Sequence, residues 1–155
     1  MTWGRLQFLV KGLLSGDYDL PEDEEVKTAL LQMAMEEVCN ISSPLSLYIK
    51  EDNTQVLNNR EIIRQFRLEV GRDEDTGLPK TINGFIIRPL LPSTVDDIID
   101  MDEGLIYAVA RLMASYIANI ENKIYHKKEA YSIMDLYKVN VVSLYDKWNQ
   151  DNANS

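Results

Sequence analysis

The sequence predicts a mainly α protein, a helical bundle of about four to five helices with a small inserted β or extended arm. Two long segments in the second half of the chain repeat apolar residues at steps of three and four, the period of a helix. Two shorter segments near the N-terminus share this period. The residues between these two segments and the two long ones either alternate between apolar and polar side chains or favour turns. We assign residues 1–150 to one helical domain, residues 43–92 to its inserted region, and residues 151–155 to a disordered polar tail.

Two helices are predicted to open the chain. The first covers residues 2–14 and ends at Ser15-Gly16; its apolar residues at helical spacing are Leu6, Leu9, Val10, Leu13 and Leu14. The second begins after Pro21, where carboxylates suit the free amides of a first turn, and ends near Asn40 because Ser43-Pro44 breaks it. Its apolar side is predicted to carry Val26, Leu30, Met33 and Glu37, widened by Leu31, Met35 and Val38.

The inserted region is predicted to contain short extended segments. Residues 45–50 alternate between apolar and polar and indicate a strand, whereas residues 60–68 suit either a helix or a strand. A polar loop at residues 51–59 separates them. Residues 83–88 indicate a further strand, which ends where Pro89 removes a backbone donor. We expect this strand to pair with either of the two earlier segments.

Two long helices are predicted to close the domain. An acidic run at residues 96–103 leads into the first, which covers residues 102–122. Its continuous apolar face consists of Leu105, Ile106, Val109, Leu112, Met113, Tyr116, Ile117 and Ile120. The second covers residues 127–150. Its repeat consists of Ala130, Ile133, Met134, Tyr137, Val141, Leu144, Tyr145 and Trp148. The short turn at residues 121–126 predicts an antiparallel hairpin.

The composition excludes several classes of function. The 155 residues include 16 basic and 25 acidic side chains, for a formal net charge of −9, which argues against broad contact with nucleic-acid phosphates. An acidic wall that DNA passes without binding remains open, because like charges repel. The single cysteine cannot form an intrachain disulfide, and no apolar run approaches the ~18 residues that a membrane-spanning helix needs.

Reactive side chains are not arranged in a catalytic motif. We interpret His126, the only histidine, as a surface or turn residue, because no serine or cysteine motif marks a partner. Cys39 is interpreted as a small buried hydrophobe. Residues 73–77 and 100–104 look like fragments of a calcium loop, but they lack its order of ligands. No cofactor and no metal are therefore expected.

Charged and aromatic residues favour contacts between proteins instead. Four arginines around Phe66 can touch phosphate, or they can pair with acids of a neighbouring copy, which the overall charge favours. They are Arg60, Arg64, Arg67 and Arg72. The predicted interface residues are Tyr48, Phe66, Phe85, Ile87, Arg88, Asp100, Asp102, Tyr145 and Trp148.

The order of these elements resembles that of a known class. An acidic-capped early helix precedes the strand-and-loop insertion and an aromatic strand, and an acidic lead-in then enters the long helix and its closing partner. The segments that carry the likeness are 85–92, 98–105, 106–112, 127–131 and 137–140. Over roughly residues 21–145 the chain resembles the head-to-tail connector proteins of tailed bacteriophages, the adaptor or neck-ring class that docks on the portal.

The resemblance implies a structural virion protein, made in the host cytoplasm, and not an enzyme. Copies would form a homo-oligomeric ring, a dodecamer, that binds the portal and offers a docking platform to other tail or neck proteins. DNA would pass through the channel without specific binding, and no membrane would be involved. The acidic run would face the channel or a subunit boundary.

A ring also needs two different self-contact surfaces. Residues 42–59 and the strand around Ile86 are expected to form one, because extended segments can add to a neighbour's sheet. The other is the small-residue side of the 102–122 helix, where another backbone can come close. Its residues are Ala108, Ala110, Ala114, Ser115 and Ala118.

Two alternatives from other classes remain. A small acidic helical protein, of an interaction or chaperone-like kind, would bind a basic partner and would be a stable monomer or dimer. A hydrolase that uses the acids at residues 96–103 with a metal would lose activity on Asp100→Ala, although such sites need carboxylates that converge from different elements.

Overall fold

The computed structural model describes residues 1–16, 18–50 and 60–153, and the polar loop predicted at residues 51–59 lies outside them. The described chain forms four helices and one three-stranded sheet, so the protein is mainly α with a small β arm, as predicted. In chain order the elements are α1 (Trp3–Leu14), α2 (Glu24–Ile41), a short 3-10 helix (Leu45–Leu47), β1 (Tyr48–Lys50), β2 (Ile62–Arg72), β3 (Pro79–Ile87), α3 (Glu103–Ile117) and α4 (Ile120–Ala153). None of the helices in this described part is long and apolar enough to cross a membrane.

Helices α3 and α4 form the predicted antiparallel hairpin. Gly104 at the start of α3 faces the ring of Tyr137, and Arg111, further along α3, contacts His126. The later residue of α3 therefore meets the earlier residue of α4, so the two helices run in opposite directions. Helix α3 is the centre of the core, since α1, α2 and α4 all pack against it.

The turn between these helices lies earlier than predicted. Helix α3 already ends at Ile117, and residues 121–126 are helical. The break lies at Asn119, whose side-chain oxygen accepts a hydrogen bond from the Asn122 amide at 3.0 Å and so caps the start of α4. Helix α4 then runs through Ala153, so its last three residues are helical where the sequence predicts a polar tail.

Helices α1 and α2 begin at residues whose side chains cap them. The hydroxyl of Thr2 accepts a hydrogen bond from the Arg5 amide at 3.2 Å. The carboxylate of Asp23 accepts hydrogen bonds from the amides of Glu25 and Val26, at 2.8 and 3.3 Å. These caps satisfy amides that a helix start leaves without partners. The predicted starts of both helices are therefore confirmed to within a few residues.

The buried face of α2 differs from the predicted one. Its buried residues are Leu31, Ala34, Met35, Val38 and Cys39. Val26 and Met33, which were predicted to face the core, are 45% and 53% exposed. Glu37 accepts hydrogen bonds from the hydroxyls of Tyr116 and Tyr131, at 2.7 and 2.9 Å, and so joins α2 to both helices of the hairpin. Burial, and then the bond to this carboxylate, raise the pKa of both phenols.

The inserted region folds as an antiparallel sheet in the order β1–β3–β2. Tyr48 lies opposite Ile86, and Phe66 lies opposite Gly84, so β3 pairs with both of the segments that the sequence offered as alternatives. The segment that suited either a helix or a strand forms most of β2. The first half of the predicted strand at residues 45–50 is instead the 3-10 helix.

Strands β2 and β3 and their turn form a long hairpin, which we call the arm. Ile86 and Ile87 are buried at its base, whereas residues 71–81 are exposed at its tip. Asp73 shapes the turn, because its carboxylate accepts hydrogen bonds from two backbone amides of the turn at 2.8 and 3.1 Å. These two bonds lower the pKa of the Asp73 carboxyl. The predicted strand at residues 83–88 is therefore one end of a longer element.

The small residues of α3 lie inside their own chain. Ala108, Ala110, Ala114, Ser115 and Ala118 are all buried. They let neighbouring helices of the same bundle approach α3 closely, which is why small residues occur here. The prediction that this side of the helix contacts another copy is therefore wrong.

Candidate interaction surfaces

Ion pairs fix the base of the arm to the rest of the molecule. Arg60 Nη2 donates hydrogen bonds to the Arg88 carbonyl oxygen and to Asp100 Oδ2, both at 2.7 Å. Arg88 pairs with Glu36 on α2 and with Glu61, whose Oε2 lies 2.9 Å from Arg88 Nε. Arg88 and Asp100, two of the predicted interface residues, thus make contacts within the chain. These contacts hold the two chain segments at the base of the arm against α2 and the acidic run.

Arg64 joins the arm to the C-terminal end of α2. Its Nη1 donates hydrogen bonds to the carbonyl oxygens of Cys39 and Ser42, at 3.0 and 2.7 Å. A cation is favourable there, because the last carbonyls of a helix lack partners. Cys39 is buried, as predicted, and burial raises the pKa of its thiol to about 12 despite the nearby guanidinium. Arg64 therefore caps the C-terminal end of α2.

Asp102 binds three donors from distant parts of the chain. Its carboxylate accepts hydrogen bonds from the amides of Leu45 and Ser46, at 2.6 and 2.8 Å, and from the hydroxyl of Tyr137. Burial, and then this bond, raise the pKa of the Tyr137 phenol. Asp102 thereby joins the start of α3, the start of the inserted region and the middle of α4.

Other carboxylates of the acidic run also bind within the chain. Asp97 accepts hydrogen bonds from the amides of Ser93 and Thr94, at 2.7 and 3.0 Å, and these bonds lower the pKa of its carboxyl. Asp100 accepts a further bond from the Leu90 amide at 2.8 Å. In the described part of the chain, no three His, Cys, Asp or Glu side chains group as metal ligands. Much of the acidic run therefore forms hydrogen bonds within the chain.

Two aromatic rings close over a glycine on one face of the arm. The ring centroids of Tyr48 and Phe66 are 5.5 Å apart, and the Arg64 guanidinium lies 5.6 Å from the Phe66 ring. A Cβ atom at Gly84 would overlap the Tyr48 ring and would lie 2.8 Å from Phe66 Cζ. Only glycine leaves room for the rings to cross the sheet here. The sequence predicted both aromatics as interface residues, and the structure places them together.

The opposite face of the arm carries an open groove of about 400 Å³. Phe85 is half-buried in it, beside Gln65, and Arg67 Nε donates a hydrogen bond to Asn83 Oδ1 at 3.2 Å along its edge. Phe85 and Arg67 are thus available at the surface, as the sequence predicts for an interface. Ile87, by contrast, is only 5% exposed and belongs to the core.

The predicted interface residues therefore do not form one surface. Tyr48 and Phe66 lie on one face of the sheet, and Phe85 lies on the other. Arg88 and Asp100 lie at the base of the arm, whereas Asp102 joins the 3-10 helix to α3 and α4. Tyr145 and Trp148 belong to α4, but their side chains lie outside the described part of the structure.

His126 is buried against a guanidinium and is not a turn residue. It lies in α4 and is 5% exposed, and its Nδ1 is 3.0 Å from Arg111 Nη1. The guanidinium can only donate, so Nδ1 accepts and the ring proton of the neutral form is on Nε2. Burial, and then the charge of Arg111, lower the pKa of His126. The predicted position in a surface turn is wrong, because α4 begins before this residue and the His126 side chain packs against Arg111 of α3.

Sequence reasoning missed an apolar groove between α1 and α3. A cavity of about 250 Å³ is lined by Phe8, Leu9, Gly12, Leu13 and Tyr107, with Met1 and Arg5 at its rim. Phe8 is 76% exposed and Tyr107 is 55% exposed. Both aromatics fall outside the apolar stripes of their helices, and that mismatch was the signal that could have revealed the groove.

No protein-family model, curated protein or solved structure matches this chain.

Proposed function

We propose that this chain is a structural, non-enzymatic virion protein: a head-to-tail adaptor of a tailed bacteriophage. Copies form a ring beneath the portal, extend the DNA channel and provide a platform on which the tail docks. The proposal rests on the resemblance in element order, and one structural observation supports it most: a long arm with an exposed tip stands on a compact helical bundle.

The way in which the arm is attached suits a mechanical role. Arg60, Arg64 and Arg88 hold its base through bonds to α2 and to the acidic run. Such a base keeps the arm in a fixed orientation, which a subunit that must match a rigid ring requires. The net charge of −9 suits a channel through which DNA passes without specific binding.

A co-sedimentation experiment tests the proposal. Purified protein is mixed with portal rings from the same virus and sedimented, and the pelleted complexes are imaged by electron microscopy. We expect the chain to pellet with the portal and to appear as a ring on one of its faces. A chain that remains in the supernatant at every concentration contradicts the proposal.

A shortened arm supplies the matched variant. Glu69 and Thr81 are partners in the β2–β3 ladder, so residues 70–80 can be replaced by an Asn-Gly turn. This change leaves the bundle and the base of the arm intact, which circular dichroism and thermal unfolding can verify. We expect the variant to fold and to pellet with the portal at least roughly tenfold more weakly, because arm contacts are lost.

The alternative, a small acidic interaction or chaperone-like protein, predicts a different outcome. Such a protein stays monomeric or dimeric, does not bind the portal, and is captured by a basic partner in a salt-dependent way. The internal use of Asp97, Asp100 and Asp102 reduces the acidic surface that this function would need.

A further inference from the structure

We propose that the groove between α1 and α3 binds helix α2 of a second copy of this chain, an inference that rests on the proposed ring. We call the first surface the α1 groove; it consists of Arg5, Phe8, Leu9, Gly12, Leu13 and Tyr107. We call the second surface the α2 stripe; it consists of Glu25, Val26, Ala29 and Met33 of α2, together with Glu22, which precedes the helix.

The shape of the α1 groove suits a helix. The aromatic side chains of Phe8 and Tyr107 are both more than half exposed and border it. Gly12 also lines the groove, and nothing lies within 4 Å of the position that a Cβ atom would occupy there. An apolar groove with aromatic borders and an open floor is the kind of site into which an amphipathic helix packs.

The α2 stripe has the pattern that such a groove accepts. Val26, Ala29 and Met33 occupy positions i, i+3 and i+7 of one helix face, and all three are exposed. Val26 and Met33 are 45% and 53% exposed, so each has apolar surface to bury. This exposed apolar row explains why the helical period in α2 predicted a wider core face than the structure has.

The two surfaces are also complementary in charge. Arg5 lines the α1 groove and is exposed. Lys11, the other charged residue of α1, is exposed as well but lies about 40° around the helix from Gln7, outside the groove. The α2 stripe carries Glu22 and Glu25, which are exposed as well. In a protein of net charge −9, a basic helix attracts the acidic surface of another copy. Charge therefore favours a second copy as the occupant.

A single chain cannot bring its own α2 stripe to its α1 groove. Gln7 of α1 accepts a hydrogen bond from Lys27 of α2 at 3.3 Å, so that flank of α1 faces α2. Leu9, which lines the groove, is roughly 200° around the helix from Gln7 at about 100° per residue. The groove thus opens on the flank of α1 that faces away from α2. Contacts between such different patches run head to tail and close into a ring when the rotation allows.

Mixing two complementary variants tests this arrangement. Gly12→Glu puts a carboxylate into the α1 groove, and Met33→Glu puts one into the α2 stripe. Each variant alone is expected to self-associate at least about tenfold more weakly than the natural chain in sedimentation velocity. A 1:1 mixture is expected to form a discrete dimer, because it retains one intact groove and one intact stripe. Leu136→Glu, at a 68% exposed position on α4, is the matched control and is expected to associate like the natural chain.

Cysteine trapping supplies a second measurement that does not depend on affinity. The double variant Gly12→Cys with Ala29→Cys is expected to give, under mild oxidation, a ladder of cross-linked species at multiples of one chain. Each single variant is expected to remain largely monomeric on the same gel. The buried Cys39, whose thiol has a pKa of about 12, does not interfere.

Several outcomes overturn the proposal. Cross-linked dimers that form readily from either single-cysteine variant indicate that the same surface of two chains is in contact, instead of the groove of one chain with the stripe of another. A natural chain that stays monomeric, together with no ladder from the double variant, shows that another protein or nothing fills the groove. Portal binding distinguishes a failure of this interface from a failure of the proposed function. If no ladder forms but the chain still binds the portal, only the proposed interface is contradicted. If a ladder forms but the chain does not bind the portal, the proposed function is contradicted.

Discussion

The hydroxyl of Tyr137 in α4 donates a hydrogen bond to the carboxylate of Asp102, the residue that precedes α3. The same carboxylate accepts the amides of Leu45 and Ser46, so three separate segments meet at one acidic side chain. A residue that looks like surface charge in the sequence is therefore a junction of the tertiary structure. Its bonds are of the charge-assisted kind, which contribute more than neutral ones.

Replacing this junction is expected to destabilise the fold. Asp102→Ala leaves two amides and the hydroxyl of the buried Tyr137 without their acceptor, and we expect the free energy of unfolding to fall by about 2–4 kcal/mol. Tyr137→Phe removes one of the three bonds and is expected to cost about 1 kcal/mol. Urea unfolding measures both changes. The exposed Asp96→Ala serves as control, with an expected change within about 0.5 kcal/mol.

Adding one methyl group at Gly84 is expected to disrupt the arm. A Cβ atom there overlaps the Tyr48 ring, so Gly84→Ala should cost about 1–3 kcal/mol in urea unfolding. Gly12→Ala makes the same chemical change in a helix where the space is open, and it should stabilise the chain by about 0.5–1 kcal/mol. Pairing Gly84→Ala with Tyr48→Ala should recover part of the loss. Equal effects of the two glycine variants would show that the ring contact is unimportant.

His126 is expected to make stability depend on pH near neutrality. Burial and the charge of Arg111 lower its pKa in the folded chain, so below about pH 6.5 the unfolded chain binds a proton that the folded chain does not. The free energy of unfolding should therefore fall as pH drops from about 6.5 towards the lower pKa of the folded state. His126→Gln should have a flatter profile over this range in unfolding titrations. Parallel profiles for the two proteins would contradict the assignment.

Cys39 is expected to be unreactive in the native protein. Its thiol is buried, and burial raises its pKa to about 12, so almost no thiolate exists at pH 8. A thiol reagent should label it only after denaturant is added, as absorbance of the released chromophore would show. An exposed cysteine introduced at position 136, outside both proposed contact surfaces, provides the comparison and should react at once. Rapid labelling of the unaltered chain would mean that the contact between Arg64 and the end of α2 opens readily.

The sequence was sufficient for the parts of the fold that depend on local periodicity. Helices α1 and α2 and the α3–α4 hairpin follow from apolar steps of three and four, and the proline and carboxylates before α2 indicate where that helix begins. The break at Asn119 was missed because Ile120 continues the apolar period of α3 across it, and Ile124 falls in the predicted turn. In the structure both isoleucines are exposed, so they contribute nothing to the core.

The candidate surfaces were harder to predict, because they depend on contacts between distant residues. Asp102 and Tyr137 are 35 positions apart, and nothing local in the sequence signals their bond. Ile87 lies in the same strand as Phe85, yet only the sheet's position on the bundle decides which of them is buried. Phe8 was missed for the same reason. The helical repeat of apolar residues identifies the buried face of a helix, but it does not identify an exposed aromatic residue beside that face.

The attachment of the arm also has a mechanical consequence. Strand β2 has 11 residues, so it spans roughly 36 Å at about 3.3 Å per residue. At the base of the arm, Arg64 binds carbonyl oxygens at the C-terminal end of α2. A force applied to the turn at the tip of the arm is therefore transmitted to α2 as a torque. The arm can therefore act as a lever: a partner that displaces its tip changes the orientation of α2.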